Sequence, residues 1–193
     1  EQVDTVLCTH LHVDHVGWNT RLENGRWVPT FPNARYLMSK RDVDYCDRMG
    51  PDHGRYGLTH DAYEDSVLPV LRAGQADLVE TDHHIVEREI GDGVWMEAAP
   101  GHTPGTMLIH AVDGQRKAIF SGDVFHHPVQ IHDPSLAMLH VDDDPAAALN
   151  ERRRLVKHCA DEGSILLAAH FPSPTAGRVV GDGAAHRFQF LEG

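Results

Sequence analysis

The sequence is poor in cysteine and contains no long apolar run. Its three cysteines, Cys8, Cys46 and Cys159, are an odd number at spacings that match no metal motif, so we expect reduced thiols and no disulfide framework. A membrane-spanning helix needs about 18 consecutive apolar residues, and the sequence has no such run. These absences exclude a disulfide scaffold and a membrane span in the residues shown. They favour a cytoplasmic protein, with an export signal before Glu1 as the alternative.

Positive charge is also scarce. Lys and Arg together number 17 against 29 Asp and Glu, which gives a formal net charge of -12 at pH 7. A chain of this charge repels polyphosphate backbones, which argues against a nuclease, so we expect a small-molecule substrate and no nucleic acid. The basic run Arg152-Arg153-Arg154 is interpreted as a solvated helix face.

Histidine, in contrast, is abundant, and its most informative cluster reads His10-Leu11-His12-Val13-Asp14-His15. Three imidazoles and a carboxylate so close together are the donors that zinc-like cations prefer. The preceding segment, Val3–Thr9, predicts a buried strand that ends at the cluster. Because side chains alternate along an extended segment, His10 and His12 would point to the same side and could bind one ion. Asp14 and His15 would follow where the chain turns, and could face a second ion.

Three further donors come later, each where a strand gives way to a loop. His102 lies in a stiff loop rich in proline and glycine, Asp123 follows an apolar run that ends at Phe120, and His170 follows the run Ile165–Ala169. Loops on a rigid sheet are where binding and catalytic groups concentrate. The donors, taken as an ordered set, therefore predict one shared metal site.

These motifs resemble those of the metallo-β-lactamase superfamily of metal-dependent hydrolases. The chain has a His-x-His-x-Asp-His motif, a Pro-Gly-His-Thr-Pro-Gly loop, a Gly-Asp element and a final histidine, in that family's order from Thr9 to His170. The resemblance implies an α/β fold, the αββα four-layer sandwich. It also implies two metal ions, the first bound by His10, His12 and His102, the second by Asp14, His15 and His170, with Asp123 bridging them. Residues 121–134 most resemble methyl parathion hydrolase and N-acyl homoserine lactonase-like members.

The chemistry that such a site would perform is hydrolysis by a hydroxide that bridges two divalent ions. Zinc is the expected metal, with manganese, cobalt or iron as alternatives. Asp14 and Asp123 would orient the nucleophile or move its proton. In the lactonases a tyrosine three residues after the bridging aspartate helps to polarise the substrate carbonyl. His126 stands at that position here; it could donate a hydrogen bond in the tyrosine's place, or the pocket could serve a different ester.

We expect the substrate to be a small lactone or carboxylic ester. An organophosphate triester and a glyoxalase II-type thioester are the alternatives within the same chemistry. A hypothesis from another class is an iron-dependent persulfide dioxygenase. Such an enzyme would use a single iron, so Asp14, His15 and His170 would have little role as metal ligands. A non-catalytic metal-binding module is the third hypothesis. Relatives often pair, so the chain is a candidate homodimer.

Most of the other histidines are expected to be solvated or structural. These are His53, His60, His83, His84, His110, His140, His158 and His186. His126, His127 and His132 lie close after Asp123, so two interpretations stay open for them: they line the pocket, or they only pack within their loop.

Length and composition predict a single domain over residues 1–193, with 41% apolar residues to build its core. Relatives have strands before their first metal motif, so we expect an N-terminally incomplete fragment. Asp144-Pro145 predicts the start of the best helix and Gly163 its end. The other expected elements are a helix at Ser39–Met49, a helix at Asp61–Ala73, a strand at Ile85–Ile90, a hairpin across Asp113-Gly114 and a turn-rich connection at Arg21–Asn33.

Overall fold

The computed structural model describes residues 2–49, 62–80, 93–137, 141–181 and 185–192. The chain divides into two compact units, Glu1–Thr81 and Asp82–Gly193. Each unit has its own sheet and its own apolar core. Several expectations lie outside the described residues, namely those for the strand Ile85–Ile90 and for His53, His60, His83, His84 and His140.

The first unit contains a parallel three-stranded sheet, in the order β1, β4, β5, and a separate hairpin of β2 and β3. Its strands are β1 (Thr5–Leu7), β2 (Thr20–Glu23), β3 (Arg26–Pro29), β4 (Arg35–Ser39) and β5 (Ala76–Val79). Its helices are α1 (Val13–Val16), α2 (Lys40–Met49) and α3 (Leu68–Arg72), with a 3-10 turn at Gly17–Asn19 and a π-helical turn at Tyr63–Val67. The expected helix Ser39–Met49 is confirmed, because Ser39 accepts a hydrogen bond from the amide of Asp42 and α2 follows it.

The β2–β3 hairpin corrects one expectation. Our interpretation of Arg21–Asn33 as a turn-rich connection is wrong, because most of that segment pairs as two antiparallel strands. Asn24 and Gly25 join them with φ angles of 50° and 76°. Two successive positive φ angles are typical of the type I′ turn, whose twist matches that of the flanking strands. The Asn-Gly pair was the sequence signal for this hairpin.

The second unit contains a six-stranded sheet in the order β11, β10, β9, β8, β7, β6. Its strands are β6 (Val94–Ala98), β7 (Met107–Asp113), β8 (Arg116–Gly122), β9 (Ile165–Ala168), β10 (Ala176–Gly181) and β11 (His186–Phe190). All neighbouring strands are antiparallel except β8 and β9, which are parallel. The β7–β8 hairpin across Asp113-Gly114 is confirmed.

Parallel strands need a crossover between them, and the second unit supplies one with α4 (Val129–His132) and α5 (Pro145–Glu162). Asp144 caps α5, because its Oδ1 accepts hydrogen bonds from the amides of Ala146 and Ala147, both at 3.0 Å. Gly163 ends the helix in the left-handed conformation, with φ at 63°. Both predicted ends of α5 are therefore confirmed.

One residue of α5 contradicts the sequence interpretation. Arg152, expected on a solvated face, is 1% exposed. The buried face of the helix comprises Ala148, Arg152, Leu155, Val156 and Cys159. That spacing is the apolar stripe of an amphipathic helix, so Arg152 occupies a core position.

The three cysteines are free thiols inside the two cores, as expected. Burial raises the pKa of Cys8 to about 11 and the pKa values of Cys46 and Cys159 to about 12. A thiol with so high a pKa stays protonated near neutral pH and is a poor nucleophile. Among the described residues, none of the helices combines the length and the apolarity needed to cross a bilayer.

Candidate metal centre

Three of the expected donors lie at one edge of the six-stranded sheet. Parallel strands end at the same edge, and Gly122 of β8 pairs with Ala168 of β9. Asp123 and His170 therefore leave the sheet side by side. Strand β7 runs antiparallel to β8, so the loop that carries His102 enters the sheet at that edge too. Sheet topology alone thus brings donors from three distant parts of the second unit together.

Asp123 is the centre of this group. Its Oδ2 lies 3.0 Å from Nε2 of His170, 3.3 Å from Nε2 of His102 and 3.3 Å from Nε2 of His126. Two donors bound to one tetrahedral zinc-like ion at 2.0–2.2 Å lie about 3.4 Å apart. The nitrogen–oxygen distances around Asp123 are close to that separation, so the residues present fit a divalent metal.

His102 is buried and lies between two carboxylates. Its Nε2 faces Asp123, and its Nδ1 lies 3.3 Å from Oδ1 of Asp142. Burial by itself lowers the pKa of His102, but the two carboxylates outweigh it and raise the pKa to about 9. Burial likewise disfavours the charged form of Asp142, yet His102 and Arg152 hold the pKa of that carboxyl below its usual value. The carboxylates thus favour positive charge at the His102 position, which a proton or a metal can supply.

His126 joins the group through its ring. It stacks on His170 with 5.2 Å between ring centroids and an interplanar angle of 10°. Its backbone amide donates a 2.6 Å hydrogen bond to Oε1 of Gln130, which also accepts from the amide of His127. Gln130 is itself buried and donates to the carbonyl of Leu136. The turn that presents His126 is therefore held by one buried amide side chain.

The two histidines that follow have local roles, which favours the loop-packing interpretation for both. Nδ1 of His127 accepts a hydrogen bond from the amide of Val129, and Nδ1 of His132 lies 3.2 Å from the carbonyl of His186. Both side chains are exposed. Among the three undecided histidines, His126 alone lies against Asp123 in the described contacts.

The first unit carries the remaining four donors just after β1. The ring centroids of His10 and His12 are 4.8 Å apart, and those of His10 and His15 are 4.1 Å apart. Nε2 of His15 lies 3.4 Å from Oδ2 of Asp14. His10 is buried, whereas Asp14 is 52% exposed. The motif therefore folds into one compact donor cluster.

Local backbone structure explains that cluster. His12 is extended at the start of α1, with φ at -72° and ψ at 156°, and its carbonyl accepts a hydrogen bond from the amide of His15. The backbone changes from extended at His12 to helical at Asp14 and His15, so the side chains of these two residues do not continue the alternation of His10 and His12. Oγ1 of Thr9 lies 3.2 Å from Nδ1 of His10.

Sequence reasoning missed three polar residues that support the donors, namely Gln130, Asp142 and Arg152. A signal existed for Arg152, because it shares a helical stripe with Ala148 and Leu155. No comparable signal existed for Asp142 or Gln130, since polar residues in loops are common and burial is not visible in the sequence.

Comparisons with known proteins agree with the fold. A family model described as Metallo-beta-lactamase superfamily matches residues 1–170. The chain is similar to a crystal structure of the hydrolase AbOPH of the beta lactamase superfamily, with a TM-score of 0.81 and 26% identity, over 100% of this chain and 66% of that one. No curated protein sequence matches the chain.

Two further solved structures show the same fold. One is AidC, described as a dizinc quorum-quenching lactonase, with a TM-score of 0.73 and 21% identity over 97% of this chain and 65% of that one. The other is a probable metal-dependent hydrolase from Staphylococcus aureus, with a TM-score of 0.75 and 21% identity over 98% of this chain and 63% of that one. The chain thus spans just under two thirds of the length of these structures.

Proposed function

The chain belongs to the metallo-β-lactamase superfamily, and on that premise we propose that it is a two-metal hydrolase of a small lactone or carboxylic ester. The observation that carries the proposal is the carboxylate of Asp123, with imidazole nitrogens of His102 and His170 within 3.3 Å of one oxygen. A carboxylate between two imidazoles is a donor set for zinc-like ions.

The proposed ligand sets are those that the family resemblance implies. His10, His12 and His102 would hold one ion, and Asp14, His15 and His170 the other, with Asp123 shared between the two sets. Each set has the donor composition of a metal site. Zinc is the expected metal, and the similarity of the chain to AidC, a dizinc lactonase, supports this expectation. Two bound divalent ions supply hydroxide at neutral pH and polarise the substrate's carbonyl oxygen.

The side chains around the ions have separate tasks. Asp14 is half exposed beside His15, so its carboxylate can orient the attacking group and accept its proton. Asp123 is buried and held against three imidazoles, which suits a fixed ligand that also orients the nucleophile. His126 is assigned as a hydrogen-bond donor to the substrate's carbonyl oxygen, through Nε2–H.

The decisive experiment for the proposal combines a metal count with a substrate panel. The purified protein is expected to bind two zinc, manganese or cobalt ions per chain and to hydrolyse a lactone or an aryl carboxylic ester faster than a phosphotriester or a thioester. A single iron per chain would support a dioxygenase and overturn the proposal. Binding of two ions without turnover of any substrate in the panel would instead indicate a non-catalytic metal-binding module.

The role of His126 is tested by H126F, which keeps an aromatic ring against His170 but removes the donor. We expect kcat/KM to fall by about 100-fold, the usual loss for one donor to a developing oxyanion, while two ions remain bound. H132A is the matched control, because His132 is exposed and contacts only a backbone carbonyl in the described contacts. Loss of an ion in H126F would show that His126 is a metal ligand and would contradict its assignment as a hydrogen-bond donor to the substrate.

A further inference from the structure

The Asp142–Arg152 pair is the least expected polar feature of the second unit. Both residues are buried, and NH1 of Arg152 lies 3.0 Å from Oδ2 of Asp142. Nε of Arg152 donates a 2.9 Å hydrogen bond to the carbonyl of Pro134. The other oxygen of Asp142, Oδ1, is the one that faces Nδ1 of His102. One carboxylate thus joins a helix residue to a proposed metal ligand.

Stability alone explains this pair poorly. Taking two charges out of water costs several kcal/mol per ion, and apolar replacements of buried ion pairs are often neutral or stabilising. Arg152 also occupies a position on α5 where its neighbours on the buried face are Ala, Leu, Val and Cys. A leucine there would complete the apolar stripe. What an apolar pair could not reproduce is the contact of Asp142 with His102.

Backbone contacts also join the loop that carries His102 to the start of α5. The amide of Asp143 donates to the carbonyl of His102 at 3.1 Å, and the amide of Asp144 donates to the carbonyl of Gly101 at 2.9 Å. A Cβ atom at Gly101 would lie 2.3 Å from the backbone nitrogen of Ala148, so the loop and the start of α5 approach closely. The loop that carries His102 is therefore built directly onto the N-terminal end of α5.

We propose that Asp142, held in place by Arg152, is a positioning residue for His102. This inference rests on the proposed function. A carboxylate accepts hydrogen bonds only, so Oδ1 of Asp142 takes the Nδ1–H of His102. That hydrogen bond fixes the ring's orientation and leaves Nε2, 3.3 Å from Asp123, as the atom that binds metal. Partners of this kind typically strengthen metal affinity 10- to 100-fold.

The second unit supplies a matched control. Oε2 of Glu97 lies 2.7 Å from Nε2 of the buried His110, and Oε1 of Glu97 accepts from NH1 of Arg154 at 2.5 Å. Arg154 also belongs to α5. This triad therefore has the same order of contacts, a carboxylate between an imidazole and a guanidinium, with Glu in place of Asp, but its imidazole is not one of the proposed ligands. Replacing Glu97 and Arg154 therefore tests whether removing any carboxylate–imidazole pair next to α5 has a general effect.

The experiment compares D142L/R152L with E97L/R154L in the full chain. Co²⁺ affinity is measured by competition with a chromophoric chelator, together with the visible absorption spectrum of the cobalt-loaded protein and the unfolding midpoint of the metal-free protein. In D142L/R152L we expect one of the two Co²⁺ ions to bind about 10- to 100-fold more weakly, with an altered spectrum and little change in the metal-free midpoint. In E97L/R154L, Co²⁺ affinity and spectrum should match the wild type.

The possible results separate the two proposals. Two cobalt ions bound with wild-type affinity and spectrum in D142L/R152L would overturn the positioning role and leave the proposed function standing. A wild-type protein that binds no cobalt would overturn the proposed function itself. If D142L/R152L does not fold, D142N is measured instead, because one amide oxygen cannot serve both Arg152 and His102 well. Weaker binding of one ion by about tenfold supports the role, and unchanged affinity overturns it.

Discussion

Asp123 is the residue on which the proposed chemistry depends most. Its carboxylate is buried at the end of β8, and three imidazole nitrogens lie within 3.3 Å of Oδ2. Asp123 therefore lies next to one further donor of each proposed ligand set, His102 of the first and His170 of the second. The expectation that Asp123 bridges two metals remains a prediction, and it can be tested by truncation.

We predict that D123A lowers kcat/KM for the best ester substrate by about 100-fold or more, because the shared ligand is lost. The metal content should fall below two ions per chain, while the far-ultraviolet circular dichroism spectrum stays that of the wild type. D161A is the control, because Asp161 forms an exposed pair with Lys157 on the surface of α5. Full turnover by a D123A protein with a single ion would contradict the two-ion mechanism.

Glu97 shows how a partly buried carboxylate makes stability depend on pH. Burial by itself raises its pKa, but the hydrogen bond from His110 and the charge of Arg154 outweigh burial and hold the pKa below the ordinary value of 4.5. A carboxyl whose pKa is depressed on folding stabilises the fold above its unfolded pKa. That contribution is lost as pH falls through the folded value.

We therefore predict that E97Q destabilises the metal-free protein most above pH 4.5, the ordinary pKa of this group. The difference in free energy of unfolding between wild type and E97Q should shrink as pH falls below that value. Denaturant unfolding in chelator between pH 3 and pH 7 measures the difference, and D113N, at an exposed pair with Arg116, is the control. A difference that is constant across this range would show that the Glu97 charge contributes nothing.

At the scale of elements, α5 is where sequence signals and structure agree best. Its first residue, its cap and its end were all predicted, because capping and helix termination depend on residues close together in the sequence. Arg152 was misplaced because the neighbouring arginines suggested a solvated run. The stripe that it shares with Leu155 and Val156 was the better guide.

We predict that D144A lowers the free energy of unfolding by about 1 kcal/mol, the typical effect of losing an N-cap. The Asp144 side chain accepts from two amides of the first turn, and no alanine can replace those bonds. Urea unfolding measures the change. K157A, which removes an exposed pair within the same helix, should cost only a few tenths of a kcal/mol. Equal effects of the two substitutions would show that the cap does not stabilise α5.

At the scale of the whole molecule, the proposed ligands extend along the sequence from His10 to His170. Bound metal should therefore stabilise the entire chain. A ligand present at 100 times its Kd contributes about 2.7 kcal/mol, which for a chain of this size raises Tm by roughly 5–10 °C. Adding a strong chelator to the zinc-loaded protein should lower Tm by that amount in a calorimetric scan. The shift should be smaller in D123A, and no shift in the wild type would contradict the proposed centre.

The sequence by itself determined the family and supplied the candidate donors, which remain a prediction. The metallo-β-lactamase fold that it predicted is confirmed. These properties were accessible because they rest on short-range patterns: donors two residues apart in an extended segment, apolar runs that end at a polar residue, and an Asp-Pro pair ahead of a helix. Side-chain alternation grouped His10 with His12, and Asp14 with His15. The roles of His102, Asp123 and His170 in the two ion sites came from the family resemblance, and the whole division remains a prediction.

Tertiary structure alone decided which side chains meet. His170 and Asp123 are 47 positions apart, and the parallel pairing of β8 with β9 places them side by side. The same packing buried Arg152, aligned Asp142 with His102, and placed His126 rather than His127 against Asp123. Such contacts depend on strand pairing and burial across long separations in the chain, which local patterns in a sequence do not encode.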